Sequence, residues 1–180
     1  MRILTLSLLL AAVVAAAPAR AACPPVPDHE RELAALYERM QEAPDPATAQ
    51  PLNDRAWELY TDAPDEAAQA VLDRGMGMRA SWNLLGARAE FDRLIEYCPH
   101  YAEGWNQRAF VHYLDQDFAA ALADLDAALE RAPTHLGALS GKALTLTALG
   151  REAEAQAVLR AALAINPWLP ERSLLKGEEL

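Results

Sequence analysis

An all-α fold, a solenoid of stacked helix pairs, is what this sequence predicts, and three observations predict it. Proline stands at Pro99, Pro133 and Pro167, 34 residues apart each time. Small residues recur in the same frame, at Gly75, Ala109 and Ala143, at Ala87, Ala121 and Ala155, and at Ala89, Ala123 and Ala157. Large apolar residues hold a third register, Phe91, Leu125 and Leu159, and a fourth, Ile95, Leu129 and Leu163. Self-similarity at a period of this size marks a repeat architecture. Small residues let helix backbones approach, and large ones a turn away fill the space between them.

The chain opens with Arg2, an apolar run from Ile3 to Ala17 and the cleavage-site pattern Ala19-Arg20-Ala21. That order reads as a secretory signal over residues 1–21, and the run is too short for a comfortable membrane span. No other stretch reaches membrane length. Export to a bacterial periplasm, or secretion, is the expected destination. Cys23 follows closely, but Arg20 stands where a lipobox places an aliphatic residue, which argues against a lipid anchor there. Residues 22–29, rich in proline, form an extended N-terminus.

Leu33, Leu36, Tyr37 and Met40 recur at helical spacing, which predicts a helix from about Glu30 to Ala43. Pro44-Asp45-Pro46 breaks it, and a second helix is expected from about Leu52 to Thr61. Trp57 then lies 34 residues before Phe91. Residues 30–64 are thus either a degenerate first repeat or a helical hairpin that caps the array.

Three units follow, over 65–98, 99–132 and 133–166. In the middle one, a helix over Ala102–Leu114 leads into Asp115-Gln116-Asp117, where a carboxylate can cap the next helix. That helix, Phe118–Arg131, carries Ala121, Leu122, Leu125, Ala128 and Leu129 on one face. Pro133 ends the unit, because it lacks an amide proton and disfavours helix in the residue before it. In the last unit Gly150 supplies a left-handed helix cap. Residues 167–180 read as a short capping segment with Trp168 as a core plug and Leu174 and Leu175 in a brief helix.

The stretch from Ala68 to Pro167 resembles tetratricopeptide repeats. Trp105, Ala109, Phe118, Ala121, Leu125, Ala128 and Pro133 fall on that family's motif in the middle unit. In the last unit Leu139, Ala143, Leu146, Gly150, Ala155, Leu159, Ala162 and Pro167 do so, and in the first Gly75, Ala87, Phe91 and Pro99. Two departures stand out: Trp82 occupies the turn glycine, and His112 replaces the motif tyrosine. The resemblance implies an all-α, right-handed αα superhelix of three helix pairs, with the degenerate N-terminal pair and the short C-terminal cap added to it. It also implies that a partner peptide lies on a concave face lined by one side of each first helix. On this sequence that side is Met76 and Arg79, then Asn106, Phe110 and Tyr113, then Ser140, Leu144 and Thr147. Phe110 and Tyr113 would be the anchors, Arg79 a partner for a carboxylate, and Asn106 a contact for peptide backbone. Either the groove is open, or Phe110 and Leu144 are partly covered by the helix that follows. A clamp for terminal carboxylates needs more Lys and Asn than Arg79 and Asn106 provide.

The net charge is −10 with 16 basic and 26 acidic residues, and losing Arg2 and Arg20 with the leader takes it to −12. An acidic domain is repelled by phosphate backbones and anionic lipid surfaces, so no nucleic acid is expected as a partner. In an oxidising compartment Cys23 and Cys98 either form a bridge or remain two free thiols. By chain-entropy arguments a bridge over a loop of this length stabilises by about 4 kcal/mol, less any strain. Catalytic constellations are thin. His29, His100, His112 and His135 show no metal-ligand spacing on a helix, and His112 with Asp115 and Asp117 reads as packing beside a turn. Ser140-Gly141-Lys142 lacks the glycine-rich lead-in of a phosphate loop, and Gly75-Met76-Gly77-Met78 reads as a close-packed helix rather than a cofactor cradle. No cofactor and no metal are expected. The resulting expectation is an exported protein-binding scaffold without enzymatic activity. The alternative is a periplasmic, chaperone-like accessory factor in envelope assembly or protein maturation, and an enzyme is the remote alternative. The partner's identity and the oligomeric state are not encoded in packing residues.

Overall fold

The structure, a computed structural model, describes residues 22–177; the leader read over residues 1–21 lies outside the described residues, as do residues 178–180. The regular elements of the described residues are all helical: α1 (Glu30–Glu42), α2 (Pro46–Tyr60), α3 (Glu66–Ala80), α4 (Leu84–Tyr97), α5 (Ala102–Leu114), α6 (Phe118–Arg131), α7 (Leu136–Ala148) and α8 (Glu152–Ile165), then a 3-10 turn over Pro170–Leu174. Helices α3 to α8 form three hairpins that stack in chain order, α4 against α5 and α6 against α7.

The hairpin turns are built alike. The Trp82 amide donates to Arg79 O and the Asn83 amide to Met78 O, and the same pair of bonds closes α5 at Gln116 and Asp117 and α7 at Gly150 and Arg151. This double bond to the last helical turn requires a left-handed residue between the helices. Trp82, Gln116 and Gly150 supply it, with φ of 61°, 62° and 71°. The next residue starts the second helix of each pair: the side chains of Asn83 and Asp117 accept from the amides of Gly86 and Ala120.

A charge ladder runs in the same 34-residue frame. Arg74 meets Glu90 at 3.1 Å and Arg108 meets Asp124 at 2.6 Å, each within one hairpin. Arg108–Asp92 at 2.7 Å and Lys142–Asp126 at 2.6 Å join one hairpin to the next. His112 faces the ladder, its Nε2 3.8 Å from Asp124 Oδ2, with only 13% of its side chain exposed.

The N-terminal pair departs from expectation twice. First, α2 begins at Pro46, not near Leu52. Asp45 caps it by accepting from the Thr48 amide at 2.8 Å, and Pro46 takes the first helical position, where a missing amide proton costs nothing. Pro51 lies inside the helix, which continues past it. Second, the pair does not form the first layer of the array. Leu36, Tyr37 and Met40 of α1 and Leu52, Ala56 and Leu59 of α2 share one core with Leu136, Leu139 and Ala143 of α7, Leu159, Ala162 and Leu163 of α8, and Leu169. The core of α3 and α4, around Leu72, Phe91 and Leu94, is a separate cluster. The hairpin therefore crosses the array and caps its C-terminal end.

Polar contacts fix this crossing. The Tyr60 ring stacks on His135 with centroids 3.8 Å apart, and its hydroxyl accepts from the Leu136 amide and pairs with the Tyr37 hydroxyl. Tyr37 donates to Thr134 O at 3.0 Å, and Tyr101 donates to Tyr60 O at 2.7 Å. Burial pushes the Tyr60 and Tyr101 hydroxyls far above the usual phenol range. Cys23 and Cys98 are bridged, with Cα atoms 5.1 Å apart, so the extended N-terminus starts at the end of α4. Trp168 is half-buried and donates to Ala43 O at 3.0 Å; the plug in the shared core is its neighbour Leu169.

Candidate functional site

Helices α3, α5 and α7 lie side by side, and a cavity of about 310 Å³ opens along them. Of the side chains expected on the concave face, Arg79, Asn106, Phe110, Tyr113, Ser140 and Leu144 line it. Met76 and Thr147 do not. Met76 packs on the core of α3 and α4, and Thr147 turns its hydroxyl back to Ala143 O. The covering element is not the helix that follows but α2, which brings Trp57 to the rim. Trp57 thus leaves the core position its spacing from Phe91 suggested. Trp57 and Phe110 remain 41% and 45% exposed, so the mouth is aromatic and reachable.

The floor requires small residues. Gly137 and Gly141 lie on the wall, and a Cβ on Gly141 would come within 3.1 Å of Leu125. One polar side is held by a buried chain of hydrogen bonds. Arg79 donates to Gln107 Oε1 at 2.6 Å and lies over the Phe110 ring, 4.5 Å from its centroid. Gln107 in turn donates to Glu103, which also accepts from Asn106 at 3.1 Å and from His135 at 2.8 Å. The Ala138 amide donates to His135 Nδ1, which places the ring proton on Nε2, facing Glu103. Glu103 and His135 are each 1% exposed; a carboxylate buried so deeply is tolerable only with such a set of donors. Burial pulls the Arg79 guanidinium below its ordinary value, opposed by the charge of Glu103. Asn106 is thus engaged with Glu103, and its amide nitrogen serves the wall first.

Gln107, Thr145 and Glu171 also line the cavity and were not foreseen from the sequence. Gln107 and Thr145 sit one position beyond Asn106 and Leu144, within the 34-residue frame. Glu171 arrives only because the tail folds back along α8. Among the described residues, no group of three or more His, Cys, Asp or Glu side chains is arranged to hold a metal ion, and no helix is long and apolar enough to cross a membrane.

A family model described as tetratricopeptide repeat matches residues 112–175. A TPR repeat-containing protein of Rhizobium etli is 36% identical over 61 residues, which are 34% of this chain and 30% of that protein. The chain therefore spans less than a third of that relative's length. Among solved structures, the first TPR domain of Spaghetti, bound to the HSP90 peptide SRMEEVD, superposes with a TM-score of 0.58 at 19% identity, over 59% of this chain and 85% of that one. The TPR2B domain of yeast Sti1, in its pHsp70 complex, gives 0.57 at 24% identity, over 61% and 91%. The stacked hairpins and these matches define an all-α helical-repeat solenoid. Residues 112–175 match the tetratricopeptide-repeat family model, and the fold of the described residues is that of tetratricopeptide-repeat solenoids.

Proposed function

We propose that this protein is an exported scaffold that recognises a segment of a partner protein in the cavity along α3, α5 and α7. The observation that carries the reading is the cavity itself, apolar and aromatic at its mouth and backed by a rigid polar wall. Such a surface gives affinity through Trp57, Phe110, Tyr113 and Leu144, and register through hydrogen-bonding groups. Preorganisation by the Arg79–Gln107–Glu103–His135 chain lowers the entropy lost on binding. The two similar solved domains are complexes, one with an HSP90 peptide and one with pHsp70, which supports recognition as the role. The Cys23–Cys98 bridge supports an oxidising compartment.

The test is a crosslinking pull-down from an extract of the source cell, comparing wild type with Phe110→Ala/Tyr113→Ala. Circular dichroism confirms that the variant keeps its helices. A stoichiometric partner lost only from the variant is the expected result. A partner retained by both moves the site off the cavity, and many weak unfolded clients replace the scaffold with a chaperone-like role.

A further inference from the structure

Three buried side-chain oxygens have no hydrogen-bond partner in the described residues: Ser140 Oγ, Thr145 Oγ1 and Glu171 Oε2. All three residues line the same cavity. Ser140 and Thr145 are 8% and 0% exposed. A buried polar atom without a partner has lost its hydration with nothing in exchange, so three of them lining one cavity mark a place for a ligand's donors.

Glu171 sets the sign of that ligand. The cationic residue on the wall, Arg79, is tied through Gln107 to the buried carboxylate of Glu103 and is internally compensated. Glu171 makes no ion pair among the described residues, so the uncompensated charge of the cavity is negative, like the −10 of the whole chain. Resting on the proposed recognition role, we propose that the cavity takes a basic side chain, arginine or lysine, from the partner segment. Its head donates to Glu171 Oε2, and its methylene stem lies against Phe110 and Trp57. The hydroxyls of Ser140 and Thr145, more than a turn apart on α7, offer acceptors to its remaining donors or to neighbouring amides of the segment. Ammonium and guanidinium groups each carry at least three donors, their stems bury well on apolar surface, and aromatic faces favour the cation.

The probe is acetyl-Ala-Leu-Arg-Leu-Ala-amide, whose only charge is the arginine, against the same peptide with citrulline, which keeps the shape and loses the charge. Binding is followed by NMR at the Trp57 indole, assigned with Trp57→Phe. The arginine peptide is expected to shift that signal and to bind about tenfold tighter than the citrulline peptide, with most of the difference lost in Glu171→Gln. A lysine version should behave like arginine. Equal shifts from both peptides overturn the cationic preference and leave the cavity as a binding site. No shift at Trp57 from any peptide overturns both readings. The melting temperature of Glu171→Gln gives a second check. It should hold or rise, because Glu171 Oε2 has no hydrogen-bond partner to lose, and a clear fall would make Glu171 a structural residue and overturn its assignment.

Discussion

A Cβ built on Gly75 would lie 2.4 Å from Phe91 Cε1, inside a ring that is itself fully buried. The next two hairpins place Ala109 and Ala143 opposite Leu125 and Leu159, so the first trades a methyl group for a larger ring at constant volume. Gly75→Ala gains about 1 kcal/mol in helix propensity but overpacks the site by about 1–3 kcal/mol, and net destabilisation is expected. Adding Phe91→Leu makes the pair resemble its neighbours. A double-mutant cycle in urea should show a favourable coupling of about 1 kcal/mol or more, and additive effects would refute the exchange. The turn positions pose a related question of backbone strain. Trp82 and Gln116 hold left-handed geometry that costs an L-residue about 1 kcal/mol, whereas Gly150 does not bear that cost. Trp82→Gly and Gln116→Gly should each raise the urea midpoint. Gly150→Ala should lower it through the backbone alone, since nothing lies within 4 Å of the added methyl.

Helices α5 and α6 were legible to the residue because each end carries its own stop signal: a capping aspartate, a left-handed turn or a proline. The same reasoning misplaced the start of α2, because Pro46 was read as a breaker when it follows a capping aspartate and serves as the first helical residue. Asp45 and Asp65 cap α2 and α3, and both carboxyls are held below the usual aspartate range. The Thr48 amide is the first cause at Asp45; at Asp65 it is the Tyr97 hydroxyl, then the Ala68 amide. A carboxyl depressed in the folded state releases its proton more readily there than in the unfolded chain. Its stabilisation is present above the ordinary value of 3.8 and is lost as pH falls through the folded value. Asn caps about as well as Asp but does not titrate in this range. Asp45→Asn/Asp65→Asn should therefore lose less of its urea midpoint than wild type between neutral pH and about pH 3, and parallel curves would count against the caps as the acid-sensitive groups. Of the cavity, Arg79, Asn106, Phe110, Tyr113, Ser140 and Leu144 were legible through the family resemblance, whereas Gln107 and Thr145, one position further along, were not. Trp57 and Glu171 were not, because their places depend on where the N-terminal hairpin and the tail fold back, and no periodic signal encodes that.

At the scale of the whole molecule, the N-terminal hairpin meets the last helix pair. Helices α1 and α2 share a core with α7, α8 and Leu169, while a disulfide holds residue 23 at the far side of the array beside α4. Gln41 donates to Ala164 O and Trp168 to Ala43 O, so the clasp is polar as well as apolar. An open solenoid passes stability only between sequence neighbours. Here α1 should instead couple to α7 and α8, more than a hundred residues away, more strongly than to α3, which follows soon after. Met40 is fully buried at the centre of this shared core, and Met40→Ala removes side-chain volume at a cost of about 2–5 kcal/mol. Hydrogen exchange read by mass spectrometry under native conditions separates the two arrangements, because sub-global opening follows cooperative units rather than sequence order. Amides of α7 and α8 should lose more protection in Met40→Ala than those of α3 and α4, whose own core around Leu72 and Phe91 is untouched. Leu72→Ala should produce the reverse pattern. If Met40→Ala instead opens α3 and α4 and spares α7 and α8, the hairpin is the first layer of a linear array. Trp57 would then have no route to the cavity it is placed to line.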